Sequence, residues 1–313
     1  MFFATDIHGS DRCFKKWVNA AQAYKATVLI LGGDITGKAL VPVITSSGAW
    51  RASLDGEEIF ARGPDEQMAL EMRIRSTGRY EVLMSADELR ELESSDRVFE
   101  ARFRQAMRES VTRWVELADE RLAGLGTSCF VILGNDDTPE LAELIRQSDV
   151  LTYAEDGLCE LPGGYELLSF GYSTPTPWHT PRELSEEDMA AQLNSLARQL
   201  KHPERSVFNV HCPPKGTHLD QAPQLDDQLR PVANLGGQQF ISVGSSAVRE
   251  AIERYRPILG LHGHVHESSA AEKIGDTLCI NPGSEYFLGN LRGAIVELGH
   301  DQEGLLRWQM TQG

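Results

Sequence analysis

Four apolar, β-rich runs in this chain break off at the same kind of place. Thr27-Val28-Leu29-Ile30-Leu31 stops at Gly32-Gly33-Asp34, and Cys129-Phe130-Val131-Ile132-Leu133 stops at Gly134-Asn135-Asp136. The run from Val207 to Val210 ends at His211, and the run from Ile258 to Leu261 ends at His262-Gly263-His264. A shorter run, Phe2 to Thr5, leads into Asp6-Ile7-His8. Continuous apolar runs mark strands buried on both faces of a parallel sheet. Helical patterns lie between them, so the alternation predicts an α/β fold. In open α/β sheets ligands bind beyond the carboxyl ends of the strands. Each polar group stands at such an end.

The residues gathered there are Asp6, His8, Asp34, Asn135, His211, His264 and His266. Oxygen and imidazole donors without thiolate suit Mn, Fe, Zn, Ni or Co. Asp6 and His8, two apart on an extended segment, point the same way and can chelate one ion. Asp34 can bridge two ions through its two oxygens. Taken singly the pieces are ordinary: D-x-H is common, a lone His211 serves as a structural histidine, and Gly33-Asp34 is a turn. Asp137 or Thr138 reads as a helix N-cap and Asp136 as a turn residue. The joint order at repeated strand ends is what carries the metal-site reading. Cys212, beside His211, reads as a small buried residue. His262 reads as a strand-end structural group, and His300, in a C-terminal turn, receives no role.

That order, D-x-H, G-D, G-N-D, a lone H and G-H-x-H, resembles the calcineurin-like metallophosphoesterase family over about residues 1–37 and 126–298. The pieces from His211 to Thr217, Val243 to Ser245, Gly263 to Ser268 and Asn281 to Ser284 resemble its prokaryotic Icc-related branch. The resemblance implies a four-layer α/β/β/α sandwich with two central sheets. It also implies two divalent transition-metal ions, Mn foremost, with Fe, Zn, Ni or Co as alternatives. Asp6, His8, Asp34 and His266 would hold one ion; Asp34, Asn135, His211 and His264 would hold the other. The implied activity is metal-dependent hydrolysis of a phosphomonoester or phosphodiester, with Asp136 and His211 as the catalytic side chains. One position departs from the pattern. The family usually has histidine after Gly-Asn, where it helps to stabilise or protonate the leaving group, and this chain has Asp136. An acid there donates a proton only if its pKa is raised, and nearby cations act in the opposite sense.

The chain reads as one domain, 1–313, with residues 38–98 inserted as a cap where the strand–helix alternation lapses. Ser85 and Glu88 form a capping-box pattern. Phe99, Phe103, Met107, Val111, Trp114, Ala118 and Leu122 predict a long amphipathic helix ending at Gly124. Thr138-Pro139 opens a helix to about Arg146, and 184–200 and 245–255 carry further helical patterns. Pocket-lining candidates are His179, in the Pro-rich segment Ser173 to His179, and Thr217, His218 and Asp220 after the His211 strand end.

Net charge bounds the substrate. Lys and Arg number 30 against 46 Asp and Glu, a balance of -16, which repels long polyanions and favours a small-molecule or nucleotide substrate. A nuclease, a protein phosphatase and a non-catalytic scaffold of the same fold are the competing expectations. No apolar run reaches about 18 residues and no basic leader precedes an apolar stretch, so neither a membrane span nor a signal peptide is expected. Five scattered cysteines without a C-x-x-C pair fit a reducing, cytoplasmic setting.

Overall fold

Asp11 opens the first helix because Ser10 caps it, its hydroxyl accepting from the Cys13 N–H. The structure, a computed structural model, describes residues 1–46, 48–234, 237–299 and 303–313, so His300 lies outside the described residues. The chain begins β1 (Phe2–Ala4), α1 (Asp11–Ala23), β2 (Val28–Gly32). There follow β3 (Ala39–Ser46), β4 (Ala49–Leu54), β5 (Glu57–Arg62), α2 (Gly63–Ser76), β6 (Arg79–Met84) and α3 (Ala86–Ser94). The long helix α4 (Asp96–Leu122) then leads to β7 (Ser128–Ile132), α5 (Ala142–Ile145), β8 (Leu151–Tyr153), β9 (Cys159–Leu161) and β10 (Tyr165–Phe170). Next come α6 (Glu186–Ala197), β11 (Ser206–Val210) and four short strands, β12 (Gln221–Pro223), β13 (Ala233–Asn234), β14 (Gly237–Gln238) and β15 (Phe240–Ser242). The chain closes with α7 (Ser246–Tyr255), β16 (Leu259–Leu261), β17 (Ala270–Ile274), β18 (Thr277–Asn281), β19 (Arg292–Leu298) and β20 (Leu305–Gln312).

These elements make a mixed α/β fold around two six-stranded sheets. The first has the order β20-β19-β1-β2-β7-β8, with β1, β2, β7 and β8 parallel and β19 and β20 antiparallel. The second has the order β17-β18-β16-β11-β10-β9, four parallel strands flanked by antiparallel edges. Alternation along the strands sorts the core. Leu29 and Leu31 pack with Trp17 and Trp114 of α1 and α4, while Val28 and Ile30 pack with Leu167, Val207 and Leu261 of the other sheet. Phe208 and Val210 turn away from that interface toward Met189 and Val248 of α6 and α7. Both faces of each parallel centre are therefore buried, which is why its strands read as unbroken apolar runs.

A third, four-stranded sheet, β5-β4-β3-β6, occupies residues 39–84. It has a small core of its own, Val41, Val43, Ala52, Leu54, Ala61, Leu70 and Ile74. The Ser85–Glu88 capping box forms as expected at α3. Among the described residues no helix is long and apolar enough to cross a membrane, and the five cysteines are free.

Candidate metal centre

Asp6, Asp34, Asn135, His211 and His264 all follow parallel strands, β1, β2 and β7 of one sheet and β11 and β16 of the other. The two sheets bring these strand ends together. Asp6 Oδ1 lies 3.3 Å from His266 Nε2, 3.9 Å from His8 Nε2 and 4.0 Å from His211 Nε2. Asp34 Oδ2 lies 3.7 Å from His8 Nε2 and 3.4 Å from His211 Nε2, so one carboxylate serves two imidazoles. Asn135 Oδ1 completes the set, 3.1 Å from His211 Nε2 and 2.7 Å from His264 Nδ1. Donor atoms fall into three groups, Asp6-His8-His266, Asp34-His211-His264 and His8-Asp34-Asp136, each within 4.8 Å. An ion held about 2.0–2.2 Å from each ligand fits such groups after small side-chain shifts.

Geometry on the chain side supports the same reading. Asp6, His8, Asp34 and His264 have φ of 53°, 37°, 48° and 66°, the left-handed region that side chains rarely adopt. Such strain gathers where a site demands it. The close approach of the loops also requires glycine: a Cβ at Gly134 would strike the Asp34 carboxylate, and one at Gly263 would strike Asp6 and Thr5. His211 Nδ1 donates to the Gly32 carbonyl at 2.8 Å, which aims Nε2 at the cluster. His8 and His266 turn Nε2 atoms toward each other at 2.9 Å, and His8 Nδ1 is buried without a hydrogen-bond partner. A nitrogen-lined gap between ionised carboxylates is a fit for a cation. This cluster can hold a metal ion.

The electrostatics agree. Burial alone would raise Asp6, but the His266 hydrogen bond and the His211 and His266 charges hold it at about 2. Asp34, also buried, is kept well below the ordinary range by His211 and His8. Burial opposes charge on His211, yet Asp34 outweighs it and pushes the imidazole up to about 10. His264 is driven down to about 4 by burial and by His211. Without an ion, the cluster is a carboxylate–imidazolium network, and a bound cation would displace its protons.

Three groups around the cluster had no clear signal in the sequence. Of the two expected caps, Thr138 stands at the N-cap of the short helix, while Asp137 accepts from the Ile35, Thr36 and Gly134 N–H groups at 3.0, 2.9 and 2.8 Å and ties two ligand loops together. Arg182, buried beside Glu155, donates to the Leu133 and Gly134 carbonyls and is 2.7 Å from the Glu155 carboxylate. Thr180 accepts from Asn135 Nδ2 at 3.0 Å, which turns the amide oxygen to the cluster. The Pro-rich segment does approach a ligand, but through the residue after His179. His179 itself is exposed, its N–H bonded to the Thr176 carbonyl. The Thr217 hydroxyl donates to the Pro214 carbonyl, and His218 pairs with Glu272 at 2.9 Å on the surface. Asp220 is buried and binds the Gly216, Thr217 and Gly244 N–H groups. His262 is buried with Nδ1 on the Val210 carbonyl at 2.8 Å, and Cys212 is buried outside the three donor groups. Asp136 lies at the edge, its N–H on Asp34 Oδ1 at 2.9 Å and its carboxylate paired with Lys38.

Comparison with known proteins gives fold without activity. No family model matches the chain. MJ1162 of Methanocaldococcus jannaschii, itself an uncharacterized protein, is 29% identical over 185 residues, 57% of this chain and 76% of that protein. One crystal structure superposes with a TM-score of 0.57 at 16% identity, covering 99% of this chain and 97% of the other. The crystal structure of TT1561 of Thermus thermophilus gives 0.51 at 12% identity, covering 93% and 92%. At these identities the likeness is one of fold.

Proposed function

We propose that this chain is a metal-dependent phosphoesterase of the calcineurin-like type, its sheets and helices layered as that family's four-layer sandwich and residues 38–98 serving as the cap. One observation carries the reading. Seven residues picked out by their order along the chain meet in one largely buried cluster at the ends of two sheets. The donor groups Asp6-His8-His266 and Asp34-His211-His264 support assigning them to two ions, with Asp34 shared. When bound, divalent ions would supply Lewis acidity and a water acidified toward neutral pH.

The chain's own residues have defined tasks in this reading. Asp34 joins the two halves of the site, because its carboxylate reaches both His8 and His211. The Gly32 carbonyl fixes the His211 tautomer, and the His264 N–H, 3.2 and 3.1 Å from the Asp6 oxygens, holds that carboxylate in place. Asp137 and Arg182 keep the Asp34 and Asn135 loops in register. Gly78 sets the neighbouring sheet against the site: a Cβ there would meet the His8 carbonyl and the Tyr286 ring. Residues 38–98 would thereby limit access to the centre.

A panel assay with Mn tests the proposal, comparing phosphomonoesters, linear diesters and cyclic nucleotides. Hydrolysis that depends on added metal and disappears in Asp34→Asn supports it. A metal-binding protein inactive on the whole panel points to a scaffold, and cleavage confined to DNA or RNA points to a nuclease.

A further inference from the structure

Position 136 departs from the pattern that the rest of the site resembles, and the structure places a specific partner there. Lys38 Nζ contacts Asp136 Oδ2; the lysine side chain is 50% exposed and the aspartate 17%. The backbone on either side of Lys38 is held. Thr36 is bound by Asp137, the Gly37 N–H donates to the Tyr80 hydroxyl at 2.6 Å, and Ala39 pairs with Arg79 in the β3–β6 ladder. Lys38 is therefore not a wandering surface lysine. Its base is fixed at the junction of two sheets, and its tip is fixed by the carboxylate of Asp136, whose backbone N–H donates to Asp34 Oδ1.

Asp136 in turn faces the metal candidates. Asp136 Oδ2 lies 3.9 Å from His8 Nδ1 and shares a donor group with His8 and Asp34. Asp136 engages one ammonium N–H and leaves two for a ligand. A fixed cation, half open to water and one carboxylate away from a metal cluster, is suited to an anion that the cluster also binds. Neutralising Asp136 alone would not require the lysine tip to stand open beside the cluster.

We propose that Lys38 binds the phosphoryl group of the substrate at the mouth of the centre and that Asp136 is its positioning residue. The pair sets the lysine ammonium beside the family's histidine position. The proposal rests on the phosphoesterase reading in taking phosphate as the ligand. It needs no proton from Asp136. Lys38 contributes charge and two directed N–H groups to the phosphoryl oxygens.

The test is calorimetric binding of inorganic phosphate to the Mn-loaded full chain, with metal content measured on each sample. Lys38→Met is expected to weaken phosphate binding ~10–100-fold, the scale of a lost charge-assisted hydrogen bond, with metal content unchanged. Lys38→Arg should recover most of the affinity, because it keeps the charge and the donors. Asp136→Asn should fall between, since the lysine remains but its anchor is weakened. Binding by Lys38→Met equal to wild type overturns the proposal, as does a wild type that does not bind phosphate. Loss of metal or of the thermal transition in both Lys38 variants makes the residue a structural support and also overturns it. If the variants behave as expected while wild type hydrolyses nothing on the ester panel, the anion site stands and the phosphoesterase reading falls.

Discussion

The ligand cluster and the sheet formed by residues 39–84 are built on opposite terms. At the cluster, acids and imidazoles are buried together and four of them hold left-handed backbone. Among its described residues the small sheet has one non-glycine position of this kind, Asp55 in the β4–β5 turn. Its core is seven aliphatic side chains, it carries exposed ion pairs such as Arg73–Glu57 and Arg79–Asp55, and it leaves Phe60, Met68 and Met72 more than half exposed. Buried charge and strained backbone cost stability, and they persist only where surrounding contacts hold them. Under the proposed function, chemistry belongs to the first region and a covering role to the second.

The sharpest way to break this contrast is at Asp34. Asp34→Asn is expected to reduce metal-stimulated hydrolysis by more than about 100-fold, beyond what loss of an outer partner costs. Comparable activity in kinetic assays would show that the cluster does not do the chemistry. Arg182→Met tests the surrounding support. It leaves Glu155 buried without its cation, and about 3–5 kcal/mol of stability should be lost in a denaturant melt.

Much of the centre was legible because ligand residues interrupt apolar runs that a doubly buried sheet demands. The flanking supports were not. Asp137 binds the backbone of Ile35 and Thr36 about a hundred residues away, and Lys38 meets Asp136 across a similar gap. No local pattern encodes such pairings. The hairpin β4–β5 and helix α2 were equally hidden, because each buries too little to write a period. α2 covers only Leu70 and Ile74 while exposing Met68 and Met72. By contrast the long helix α4 buries Met107, Val111, Trp114, Ala118 and Leu122 in regular steps.

A smaller effect should separate the regions by pH in the metal-free protein. His211 is raised from 6.5 to about 10, so its contribution is complete below about 6.5 and lost as pH rises toward 10. Asp6 is lowered from 3.8 to about 2, so its contribution is present above about 4 and lost as pH falls to 2. Thermal melts in chelator should therefore decline on the alkaline side of 6.5, and added Mn should flatten that decline by replacing the His211 proton. A melting temperature level from 6.5 to 10 without metal would contradict the assignment. Smallest of all, Met68→Gln and Met72→Gln on the exposed face of α2 should change stability by no more than about 0.5 kcal/mol. A larger loss would mean that this face is packed.

Metal content decides whether the cluster is a metal centre. The full chain, stripped with chelator and dialysed against Mn, should take up about two ions. Asp34→Asn, which removes the carboxylate shared by both halves, should retain less than one. A wild type that binds no transition metal under these conditions would contradict the account.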